Sequence, residues 1–132
     1  MTTAIICTAI LAAMLLALAF NVSRVRGLTA KAGGSQFPSD PASGLLKAIR
    51  AHGNAAEYVP TLIVLFLLVG ARSPAAVAIP LIAGATAARL VQAYGLLTTP
   101  SLATILTTPR LIGSLGTNLF GIGLALAAVF SL

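Results

Sequence analysis

Residues 2–26, TTAIICTAILAAMLLALAFNVSRVR, carry no charge until Arg24 and Arg26. At about 1.5 Å of helix rise per residue, the run Thr2–Ser23 is long enough to cross a hydrocarbon core of about 30 Å. Working outward, three more apolar runs follow, Leu45–Gly70, Ala75–Leu97 and Pro109–Ser131. In lipid only helices and closed barrels satisfy their own backbone, and these runs lack the alternation of barrel strands. The chain therefore reads as an all-α membrane protein, one domain over residues 1–132, built as a bundle of four transmembrane helices.

Composition points the same way. Hydrophobic residues make up 58% of the 132 residues and charged residues 8%, and the mean hydropathy is +1.04. A soluble domain carries roughly a quarter charged residues, so no water-exposed surface is built from this stock. The net charge of +6 does not mark a nucleic-acid binder, because the basic residues punctuate apolar runs as charges flanking membrane spans do. One Cys and one His exclude an internal disulfide and a protein-built zinc site. Soluble enzyme, nucleic-acid module, metal centre and disulfide scaffold all drop out.

The order of charges orients the chain. Ala17-Leu18-Ala19 imitates a signal-peptide cleavage site, but no basic residue precedes the first run and Arg24 and Arg26 follow it at once. That order retains the helix and puts its C-terminal end in the cytoplasm. Arg24, Arg26 and Lys31 lie in the loop over residues 24–44, with Lys47 and Arg50 just beyond, against Arg72 alone in the Gly70–Pro74 turn. The asymmetry places both termini outside, and that loop and the Thr98–Thr108 connection inside.

In the last helix Gly113, Thr117, Gly121 and Ala125 are small and four apart, the pattern that lets helix backbones approach where lipid supplies no hydrophobic drive. Thr108 suits its N-cap and Pro109 its first helical position, which sets Arg110 in the first turn. Free N–H groups and the helix dipole favour an anion there, so Arg110 either stabilises a bound anion or touches lipid phosphate.

The second helix opens with residues that do not belong in lipid: Arg50-Ala51-His52-Gly53-Asn54-Ala55-Ala56-Glu57-Tyr58-Val59-Pro60. At about 100° per residue, Arg50, Asn54, Glu57 and Thr61 share a stripe roughly 60° wide, with Lys47 and Tyr58 on its flank. A charge at bilayer depth costs about 2.5–3.5 kcal/mol or more, so the stripe faces protein or a watery cavity. Arg50 and Glu57 are too far apart for direct contact. Either Asn54 bridges them or other helices supply partners within a structural network, or a ligand with both a carboxylate and an ammonium uses Arg50 for one and Glu57 for the other. His52 points about 160° from Asn54, toward packing or a neighbouring subunit. Pro60 leaves the Ala56 carbonyl without its helical donor, so a kink or a polar partner is expected. In the third helix Arg89 and Gln92 stand one turn apart, followed by Tyr94. Arg89 snorkels to headgroups, counterbalances Glu57, or joins the anionic part of a pocket. No Ser-His-Asp or Cys-His arrangement supplies a nucleophile, so any chemistry uses a reactive group brought by the ligand.

These residues resemble the MAPEG family, membrane-associated proteins in eicosanoid and glutathione metabolism, in its short bacterial form. The resemblance spans nearly the whole chain and rests on the second-helix motif Arg50 to Pro60, supported by Ser23-Arg24-Val25-Arg26, Arg89 with Gln92, and Pro109-Arg110. It implies a homotrimer in the bacterial inner membrane, with glutathione bound as co-substrate between neighbouring subunits near the cytoplasmic side. Arg50, Asn54, Glu57 and Tyr58 match positions that hold glutathione in family enzymes, and Arg24 and Arg26 match first-helix arginines of the same site. His52, Arg89 and Gln92 join the candidate glutathione-binding set through the same resemblance. Arg110 matches the arginine proposed to hold the thiol as thiolate. A free thiol titrates near 8.5, and lowering it by about two units asks for about 2.7 kcal/mol, within reach of one guanidinium at a helix N-terminus.

The implied activity is a glutathione-dependent transferase or peroxidase acting on lipophilic electrophiles or lipid hydroperoxides from the bilayer. Gly53, Gln92 and Leu96 depart from the polar, His or Tyr residues found in animal eicosanoid synthases, which argues against that specificity. Two other readings stand beside it: a lipid-binding or scaffold member without catalysis, and a small proton-coupled exporter using Glu57, the only carboxylate within a span.

Overall fold

The computed structural model describes residues 1–103 and 107–131. Four helices account for nearly all of them: α1 (Thr2–Lys31), α2 (Gly44–Arg72), α3 (Ala75–Thr98) and α4 (Thr108–Phe130). Each is long and apolar enough to cross a membrane. α2 and α3 each touch all three other helices, whereas α1 and α4 do not meet among the described residues.

The pattern of burial is what lipid, not water, selects. α1 buries only Ala4, Cys7, Leu11 and Leu18, a single stripe at helical spacing, and presents the rest of its apolar surface outward, Leu16 at 71% and Phe20 at 72% exposure. Such a surface is stable only against hydrocarbon. In α2 the buried stripe is Leu45, Ala48, Ala51, Ala55, Val59, Leu62, Phe66 and Val69, rising in steps of three and four. Ser43 caps this helix, its hydroxyl accepting from the Leu46 N–H.

Two helix ends differ from expectation. α1 continues to Lys31, not Ser23, so Arg24, Arg26 and Lys31 ride on a helical extension and the connecting loop shrinks to residues 32–43. Its thirty residues span about 45 Å, more than a bilayer core needs, and the basic residues occupy the excess. The stop is a Schellman motif: Gly33 adopts φ +71°, its N–H donates to Ala30 O, and Gly34 N–H donates to Thr29 O. α4 starts one residue early, with Thr107 as N-cap and no side-chain capping bond, which puts Pro109 at the second position and keeps Arg110 in the first turn. Pro60 leaves α2 unbroken, and it faces outward.

α3 and α4 make the closest pairing. A Cβ on Gly113 would lie 2.5 Å from the Gln92 backbone nitrogen, and one on Gly95 would lie 2.8 Å from the Arg110 backbone nitrogen. Both glycines are there because backbone meets backbone. Gly116 against Ala88 and Gly123 against Leu81 continue the seam. Of the four-apart stripe, Gly113 and Thr117 are buried, and Thr117, Gly121 and Ala125 line one groove between α2 and α4. Thr117 Oγ1 donates back to Gly113 O at 2.7 Å, which satisfies its hydroxyl without a neighbour.

Gly113→Val puts three carbons where Gln92 backbone stands. It is expected to cost about 1–3 kcal/mol or more by overpacking, read as a lower thermal midpoint in detergent. Gly27→Ala, inside α1 at a position with open space around it, should raise the midpoint slightly, since alanine is favoured over glycine in a helix by about 0.5–1 kcal/mol.

Candidate functional site

The buried stripe of α2 dictates where its polar residues go. With Ala51, Ala55, Val59 and Leu62 facing the bundle, the stripe carrying Arg50, Glu57 and Thr61 falls on the opposite side, and all three are exposed. Within one protomer Glu57 does not face its own bundle, and Arg50 meets it only at the loop end. They form one open wall at the N-terminal, loop-side half of the helix. His52 stands off this wall, half-buried near the packed face.

Asn54 and Tyr58, on the edge of the wall, are tied to α3. Arg89 is 1% exposed, and its Nη2 donates to both Asn54 Oδ1 at 2.8 Å and Asn54 O at 3.2 Å. Its guanidinium carbon lies 4.9 Å from the centroid of the Tyr58 ring, in cation–π range. Neither snorkelling nor a direct bond to Glu57 describes Arg89. The guanidinium is held by an amide and an aromatic face, which lets a cation sit deep in a low-dielectric bundle. Among the described residues its Nε has no hydrogen-bond partner.

A second polar locus lies at the loop end. Arg50 and Arg110 line one cavity of about 390 Å³ together with Leu46, Leu96, Leu102 and Pro41. Arg110 is half-buried, and among the described residues its buried Nε and Nη1 have no hydrogen-bond partner. Two guanidiniums thus converge on a space whose remaining walls are mostly apolar, and no carboxylate is among its lining residues. Chemically this is room for an anion. The loops close it. Leu102 N–H donates to Pro41 O at 2.9 Å, joining the α1–α2 loop to the α3–α4 connection, and Lys47 Nζ donates to Thr99 O at 3.2 Å, tying α2 to the end of α3.

The other candidates sit as follows. Gln92 is buried in the α3–α4 seam one turn from Arg89, with its Oε1 unpartnered. Arg24 and Arg26 are exposed on the end of α1, Arg24 bonded to Asn21 Oδ1 at 2.9 Å, and neither lines the Arg50–Arg110 cavity. Leu96 lines that cavity and Tyr94 points outward at 61% exposure. Among the described residues no group of three or more His, Cys, Asp or Glu gathers as a metal site would need.

The family model for MAPEG matches residues 4–130, nearly the entire chain. The chain belongs to the MAPEG family. No curated protein and no solved structure matches it. MAPEG membership and four membrane-length helices make this an integral membrane protein of a family concerned with glutathione-related chemistry.

Sequence reasoning missed two features of this MAPEG site. It placed Arg89 beside Glu57 or in an anion pocket and did not pair it with Asn54 and Tyr58. It also read Arg50 and Arg110 separately, although they share a cavity. The signal for the first was present. Arg89 lies at the depth of Asn54, and a buried arginine must find acceptors, of which the Asn54 amide is a short polar one on the facing helix.

Proposed function

We propose that this chain is a membrane-bound glutathione-dependent transferase or peroxidase acting on lipophilic electrophiles or lipid hydroperoxides. It works as a homotrimer in the bacterial inner membrane, with both termini outside and the loop side cytoplasmic. The observation that carries the reading is the cavity shared by Arg50 and Arg110, where Arg110 offers two buried guanidinium nitrogens that have no partner among the described residues. The outward wall of α2 supports it. Arg50 and Glu57 are too costly to leave against hydrocarbon, and a neighbouring copy would cover them and close a site on its second side. Arg24 and Arg26, which reach no site in their own protomer, are then free to serve the neighbour's.

The division of labour follows from charge. Arg50 takes a carboxylate of glutathione and Glu57 its ammonium. Arg110, in the first turn of α4, stabilises the thiolate through its guanidinium and the adjacent helix N-terminus. For transfer, the thiolate sulfur forms a bond to the electrophilic carbon and the leaving group departs with the electron pair, or the thiolate adds to an activated alkene that a proton then completes. For a hydroperoxide, sulfur attacks the terminal oxygen and releases the lipid alcohol; a second glutathione converts the sulfenic product to the disulfide and water. Both routes balance without a metal ligand.

Two outcomes test the roles. Arg110→Ala should lower turnover about tenfold to a hundredfold near pH 7, the worth of a charge-assisted contact of about 1.5–3 kcal/mol. Because Arg110 lowers the thiol pKa, the loss should shrink as the pH rises past the free-thiol value near 8.5; a pH–rate profile reads it, and a loss equal at every pH removes the thiolate role. Glu57→Gln should weaken glutathione binding measured by calorimetry about tenfold while leaving affinity for a glutathione analogue lacking the amino group unchanged. Equal affinity for glutathione in both proteins would take Glu57 out of the site.

A further inference from the structure

Arg89 is the most deeply buried charge in the structure, at 1% exposure, yet it touches two residues that stand on the open wall of α2. A guanidinium has donors only, so the Asn54 atom facing Arg89 must be the carbonyl oxygen, whatever ambiguity attends an amide elsewhere. The second bond, to the Asn54 backbone carbonyl at 3.2 Å, fixes the guanidinium to the helix itself and the amide at 2.8 Å to the guanidinium. With Oδ1 committed, what Asn54 has left to offer is Nδ2, a two-proton donor. Arg50, one turn earlier on the same helix, is also a donor. The Arg50–Asn54 part of the wall is therefore built for an acceptor, and Glu57 is the acceptor of the trio.

We infer that Arg89 is a positioning residue for the thiol substrate. It does not contact the ligand. It locks the Asn54 amide with its N–H₂ group outward and holds the Tyr58 ring beside it, so that the loop-side part of the wall accepts a carboxylate or peptide carbonyl and rejects an ammonium. This rests on the glutathione reading above for the identity of the ligand. The clamp itself is a property of the chain's own residues and is tested separately.

The chain has no Trp and two Tyr, so Tyr94→Phe, at an outward-facing position, leaves Tyr58 as the only strong intrinsic fluorophore. In that background Arg89→Met should lower the fluorescence anisotropy of Tyr58, and Arg89→Lys, which keeps a cation and a donor, should retain most of it. Unchanged anisotropy in Arg89→Met overturns the clamp. Glutathione affinity, measured by calorimetry on the same purified proteins, gives the second arm. Arg89→Met and Asn54→Ala should each weaken binding at least tenfold, with Arg89→Lys recovering part of the loss. Since Arg89 acts through Asn54, the double variant should bind far better than the product of the two single losses predicts. Losses that multiply, or wild-type affinity in Arg89→Met, overturn the positioning role. Should Arg89→Met fail to assemble, Arg89→Gln replaces it in both arms with the same expectations. Failure of the wild-type protein to bind glutathione would sink the functional reading alone, and the anisotropy of Tyr58 would still decide the clamp.

Discussion

A carboxylate turned away from its own bundle and a guanidinium at the loop end, inside a membrane, set the terms for everything else in this protein. The alanine-rich packed face of α2 turns Glu57 outward and leaves Arg50 only the loop-end cavity that Arg110 also lines. Each would cost about 2.5–3.5 kcal/mol or more against hydrocarbon, a large fraction of the stability of an ordinary domain. The chain is consistent as a membrane protein only if that wall meets another polar surface. Under the proposed function a second copy together with a zwitterionic ligand would meet this requirement, which is why a site between copies and a thiol peptide belong to the same proposal.

The remaining helices serve that wall. α3 reaches behind it with Arg89, which holds the Asn54 amide and the Tyr58 ring at the wall's edge. α4 approaches α3 backbone to backbone at Gly95 and Gly113, and this closeness delivers Arg110 to the cavity that Arg50 also lines. A larger residue at either glycine would push the α4 N-terminus outward and take Arg110 with it. Packing and chemistry are thus linked through the same seam. The loops finish the arrangement: the Leu102–Pro41 and Lys47–Thr99 bonds hold the loop-end connections over the cavity.

Much of this was legible in the amino-acid sequence. Hydropathy finds four spans because lipid demands continuous apolar helices, and the starts of α2, α3 and α4 fall within a residue of expectation. The end of α1 was misplaced because hydropathy marks where the membrane stops, not where the helix stops. The Gly33-Gly34 pair, which terminates α1 through a left-handed residue, carried the right boundary. The polar stripe of α2 followed from helical periodicity, and so did its separation from His52. Its direction did not, since periodicity gives which residues share a face and not which neighbour that face meets. The Arg89–Asn54 bond and the Arg50–Arg110 cavity depend on how α2, α3 and α4 are set against one another. The stripe of small residues in α4 shows the same limit: Gly113 backs onto Gln92 of α3 while Thr117, Gly121 and Ala125 line a groove toward α2, and spacing alone does not give the helix each one meets.

The most direct test of a thiolate-holding site is a calorimetric titration of the detergent-purified protein with glutathione and with S-methylglutathione at pH 6.5 and pH 8. The methylated form keeps every charge of the peptide but cannot ionise at sulfur. Saturable binding of both, with affinity rising with pH for glutathione alone, is the result this account predicts. Glutathione that binds no more tightly than its S-methyl form at either pH would contradict thiolate stabilisation, and no binding of either across the millimolar range would contradict the site itself.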